Sequence, residues 1–126
     1  MNVKKNATLW AVQGLLAALF LFAGVMKLVM PIEAMAGPVA LPGFLLRFVG
    51  LAEALGAIGL VLPGLLRTHV ELTPLAASGL VIIMIGAVVI TLMGGSVAAA
   101  IVPLIVGALA ASVAYGRSRP AQAVPA

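Results

Sequence analysis

Thr8–Met30 reads TLWAVQGLLAALFLFAGVMKLVM, an apolar run whose one charged residue, Lys27, lies close to its end. A helix rises about 1.5 Å per residue, so roughly 20 mainly apolar residues cross the hydrocarbon of a bilayer. This run is long enough to span. Pro31 stops it, and a loop containing Glu33, Gly37, Pro38, Pro42 and Gly43 follows. A second run extends over 44–66, and Arg67–Glu71 forms a short polar turn. Thr73-Pro74 opens a third run, over 73–93, with its proline in a first helical turn, where the missing N–H costs little. Gly94-Gly95-Ser96 is the tightest turn, and a fourth run covers 97–116. The expected architecture is an all-α membrane protein, a bundle of four transmembrane helices forming one domain over 1–116. The tail at 117–126, rich in Pro, Ala, Arg and Ser, is expected to be disordered.

Composition agrees. The chain is 64% apolar and 8% charged, with a mean hydropathy of +1.31, against about 45–50% and about 25% in soluble domains. A soluble fold of this length cannot bury so much apolar side chain. The net charge of +4 comes from cations at span edges, not from the basic face interleaved with aromatics that a nucleic-acid site needs. No nucleic-acid partner is expected. A signal-peptide reading of the N-terminus, with Ala34-Met35-Ala36 as cleavage site, fails because the apolar run is too long and Lys27 interrupts it.

Orientation follows from the same cations. Lys4, Lys5, Arg67, Arg117 and Arg119 fall on one side of a four-span arrangement, and the other side holds only Lys27 and Arg47, drawn into helix ends. The positive-inside rule predicts that both termini are cytoplasmic. Trp10 and Tyr115, at the cytoplasmic ends of spans one and four, suit an interfacial aromatic belt.

Chemistry has few carriers. With no cysteine and one histidine, His69, the chain offers no thiolate, no iron–sulfur cluster and no bis-histidine haem or metal site. His69 and Glu71 read as solvated turn residues. No serine-hydrolase elbow, phosphate-cradling glycine loop or zinc-protease motif occurs. No intrinsic cofactor and no stand-alone catalytic centre is expected.

Glu53 is the informative residue. It sits about nine residues into span two, near the midplane, where a carboxylate must face the bundle and find a partner. Gly50 and Gly56 flank it three residues either side, and the spacing predicts one narrow face pressed against a neighbouring helix. Lys27, three residues after Gly24, either snorkels to water or reaches inward to Glu53. Arg47 is expected to anchor at the interface or pair with Glu33, and Glu33 to be a loop residue able to line an outer pocket. Gly24, Gly50 and Gly56 are the expected helix-packing positions.

The stretches Phe22–Leu28, Phe48–Ala57, Leu72–Ala77 and Ala114–Arg117 resemble the DoxX-like family of small four-span bacterial membrane proteins. The resemblance is carried most specifically by Gly24-x-x-Lys27 and Gly50-x-x-Glu53. It implies the bacterial inner membrane, membrane lipid around the chain, and a role accessory to membrane oxidoreductase subunits, with a quinone as the compatible small molecule. Many relatives carry a histidine near the end of span three, where this chain has Thr91; that departure weakens any histidine-dependent proton or quinone chemistry. Three functions stay open: a membrane protein binding a hydrophobic ligand or redox partner around Lys27 and Glu53, a small proton-coupled transporter, and a structural subunit or assembly factor, any of them as a homo-oligomer. A transporter of cationic drugs fits poorly, because Lys27 repels a cationic substrate and the spans lack aromatic stacking residues.

Overall fold

Each apolar run is a helix, because in hydrocarbon every backbone N–H and C=O has to be satisfied within its own segment. The computed structural model describes residues 3–35, 37 and 39–118. Four helices, α1 (Val3–Val29), α2 (Gly43–Leu66), α3 (Leu72–Met93) and α4 (Val97–Arg117), are long and apolar enough to cross a membrane. A short 3-10 turn, Ile32–Met35, follows α1. The four helices pack in chain order, α1 on α2, α2 on α3 and α3 on α4, and α1 meets α4 to close the ring. Consecutive antiparallel spans place both described ends of the chain at one end of the bundle, here the terminal end, and the 30–42 loop with the Gly94–Ser96 turn at the other, the loop end. Strands are absent among the described residues.

The helix boundaries lie within a residue of the expected spans except at the start of α1. Helix α1 begins at Val3 rather than Thr8, taking in Lys4 and Lys5, since a helix need not stop where the hydrocarbon does. Arg117, expected in the tail, is the last residue of α4. Residues 119–126, with Arg119, lie outside the described residues.

The core is a seam of Leu9, Leu16, Phe20, Leu60, Leu80 and Val113 with Ala57, Ala77 and Ala110 between them. Large apolar side chains such as Leu15, Phe22, Phe48, Ile82 and Val102 point outward, the inverse of a soluble bundle and the pattern of a lipid-facing surface. Without a hydrophobic incentive for burial, close packing has to hold the helices together.

Proline inside α2 creates a specific demand. Pro63 has no N–H, so the carbonyl four residues earlier, on Gly59, loses its helical donor. The buried Thr73 hydroxyl of α3 donates to that carbonyl at 3.0 Å. A neighbouring side chain thus repairs the break, as intramembrane prolines require. At the α2–α3 turn, Arg67 and His69 adopt positive φ, 54° and 49°, where glycine would be the ordinary occupant.

Candidate functional site

Helices α1 and α2 cross at glycines. A Cβ placed on Gly24 would lie 2.6 Å from the Gly50 carbonyl oxygen and 2.7 Å from the Ala54 nitrogen, and one on Gly50 would lie 2.7 Å from Lys27 Cβ. Only hydrogen fits at either position. Gly24 precedes Lys27 by three residues and Gly50 precedes Glu53 by three, so the approach that the glycines permit also faces the two charges toward each other.

Lys27 Nζ lies 2.8 Å from Glu53 Oε1. The Glu53 side chain is 3% exposed and that of Lys27 31%. The carboxylate is sealed in the bundle, while the ammonium keeps an open side. The contact is close, and Lys27 is the ion-pair partner of the buried Oε1. The attraction acts between full charges in surroundings that screen it weakly. An ammonium carries three donors, and those not turned to Glu53 have no hydrogen-bond partner among the described residues.

Arg47 does something the sequence did not suggest. Its guanidinium donates to the Lys27 carbonyl at 2.8 Å, taking up an acceptor in the last turn of α1, where a cation also meets the negative end of the helix dipole. It does not pair with Glu33. Glu33 is exposed and lines a cleft at the loop end, apart from Lys27 and Glu53. Gly56 does not share Gly50's neighbour either: it faces Leu80 of α3, whose Cδ2 would lie 2.8 Å from an added Cβ. Six residues carry the chain about 240° around at 3.6 residues per turn, so the two glycines serve opposite flanks of Glu53. Thr91 donates within its own helix to the Ala87 carbonyl at 2.7 Å. His69 and Glu71 are exposed.

A second polar constellation, at the terminal end, escaped the sequence reading. Gln13 is 1% exposed; its Nε2 donates to the Leu60 carbonyl at 2.6 Å and its Oε1 accepts from Arg117 Nε at 2.6 Å. Arg117 also donates to Asn6 Oδ1 at 2.7 Å and lies over the Trp10 ring, 5.5 Å from its centroid. Three helices, α1, α2 and α4, are stitched through one amide. A glutamine within an apolar run was the available signal, because such a group has to find both a donor and an acceptor inside the bundle. Trp10 packs its ring on Gly64, and Tyr115 stays exposed. Groups of three or more His, Cys, Asp or Glu that could hold a metal are absent among the described residues.

No curated protein and no solved structure matches the chain. The description of the DoxX-like family matches residues 11–113, a stretch that takes in most of α1 and α4 and the whole of α2 and α3. With both glycine-flanked charges inside that match, and four apolar helices around them, the chain belongs to the DoxX-like family.

Proposed function

We propose that this protein takes a hydrophobic molecule with an acceptor oxygen, of quinone type, from the bilayer at Lys27, and that it serves a membrane redox complex as an accessory subunit. The observation that carries the reading is the asymmetric pair: a sealed Glu53 holding a half-open Lys27 ammonium among apolar side chains. Glu53 orients the ammonium, and the donors left over suit a carbonyl oxygen arriving along the lipid face. A quinone bound there would supply two-electron redox chemistry; the chain's own residues bind and orient its head group. Membership of the DoxX-like family, named for a proposed quinol-oxidase subunit, supports a redox setting in the bacterial inner membrane. The close ion pair speaks against proton exchange by Glu53, which a transporter would need free to alternate between the two sides.

Native mass spectrometry of gently extracted protein tests this. A quinone or an oxidoreductase subunit should travel with the wild-type chain and be lost from Lys27→Met, with both retained by Gly14→Ala, a change on the exposed face of α1. A wild-type chain that carries neither, after extraction from quinone-replete membranes, would sink the reading.

A further inference from the structure

At the loop end a cleft of about 460 Å³ opens between the 3-10 turn with residues 39–41, the start of α2 and the α3–α4 turn. That volume lies in the usual range for small-molecule sites, roughly 300–1,000 Å³. Its walls are mainly apolar, with Ile32, Val39, Leu41, Leu46 and Ile90 among them. Three polar residues are among its lining: Glu33, which is exposed, Thr91 and Ser96. Of the two hydroxyls, Thr91 is the one left as an acceptor. Thr91 spends its proton on the Ala87 carbonyl, leaving its oxygen as an acceptor. Ser96 accepts from the Ala99 N–H as the cap of α4. Among the described residues Glu33 has no ion-pair partner and no cation lines the cleft. Arg47, the cation following the lining residue Leu46, is turned to the Lys27 carbonyl.

We infer that this cleft binds a small amphiphile bearing a protonated amine, its ammonium on Glu33 and the Thr91 oxygen and its apolar body on the wall from Ile32 to Ile90. An unpaired carboxylate beside apolar walls attracts a cation, and the walls reward a hydrocarbon attached to it. The site is separate from Lys27 and Glu53 in its residues, in its charge and in the ligand it selects.

The test uses the full chain in phosphatidylcholine nanodiscs, with octylammonium as probe and octanol as its uncharged match, read by ligand-observed NMR titration. Octylammonium should saturate and bind at least tenfold tighter than octanol. Glu33→Gln should bring the two within about threefold of each other. Ala99→Trp, which fills the cleft from an exposed position on α4, should abolish saturable binding of both. Unchanged thermal unfolding of both variants checks that they fold. Competition from phosphatidylethanolamine doped into the disc would identify the amine source as a lipid headgroup, and its absence a free amine. Equal affinity for octylammonium and octanol in the wild type, or a preference that survives Glu33→Gln, overturns the proposal. Non-saturating uptake indifferent to both substitutions is partition into the bilayer and overturns it as well.

Discussion

Lys27→Met and Glu53→Gln remove the same contact but leave different orphans. After Lys27→Met a carboxylate that is 3% exposed stays in the bundle with nothing opposite it; after Glu53→Gln the remaining ammonium, already 31% exposed, can snorkel toward the interface. Lys27→Met should therefore be the more damaging, on the order of 3 kcal/mol by the cost of breaking a buried pair, and Glu53→Gln clearly milder. The double variant should recover much of the Lys27→Met loss, since two well-packed neutral groups replace an ion pair at little cost. A double-mutant cycle on thermal unfolding in detergent measures the coupling; strictly additive losses would show that the two charges act independently. At this scale the sequence was partly legible. A carboxylate at mid-span announces that it needs a partner, and Lys27 was the cation within reach. The Arg47 bond to the Lys27 carbonyl was not legible, because a backbone acceptor leaves no mark in the pattern of side chains. Gln13 and Thr73 were missed for a related reason: each answers a backbone carbonyl on another helix.

Among the helices, α1 and α2 are held at a separation that one added carbon would violate. Gly24→Ala should cost about 1–3 kcal/mol by the usual penalty of overpacking, and because the obstructing atoms are backbone, rotamer changes cannot relieve it. Gly14, on the same helix, meets nothing within 4 Å, so Gly14→Ala should be neutral or stabilising by up to about 1 kcal/mol through helix propensity. Comparing the two melting temperatures in one detergent decides the matter: equal values would mean that the crossing is looser than described. Gly24→Ala should also weaken the Lys27–Glu53 coupling, because it pushes apart the helices that carry the charges. The spans themselves were plain in the sequence, because hydrocarbon thickness and backbone hydrogen bonding leave helices as the only answer for such runs. Which glycine meets which helix was not. The symmetric spacing of Gly50 and Gly56 about Glu53 suggests one face, yet the rotation between them sends one to α1 and the other to Leu80 of α3.

For the whole molecule, the polar contacts divide by end. The Gln13–Arg117–Asn6 network ties the terminal end, and the Lys27–Glu53–Arg47 group lies toward the loop end. The cation asymmetry predicts that the terminal end is cytoplasmic. Reporter fusions after Glu33 and after Ser96 should then read periplasmic, and fusions after His69 or Ser118 cytoplasmic. A periplasmic reading after Ser118 would refute this orientation.

The pairing of Lys27 with Glu53 joins consecutive spans, and that has a consequence for how the chain enters the membrane. The first helix reaches the translocon with its lysine near one edge, a placement lipid tolerates; the second arrives with an acid near its centre, which lipid resists by a few kcal/mol. If the first helix waits at the lateral gate, the acid meets its counterion before it meets hydrocarbon, and the two helices leave with that pair neutralised. The glycine crossing allows that docking with no side chain to rearrange. Biogenesis of the second helix is therefore expected to depend on the first: in a glycosylation-mapping assay, Lys27→Met should lower insertion of Gly43–Leu66, and Glu53→Leu should restore it without the lysine. Equal insertion with and without Lys27 would mean that the pair assembles only after both helices are already in the bilayer.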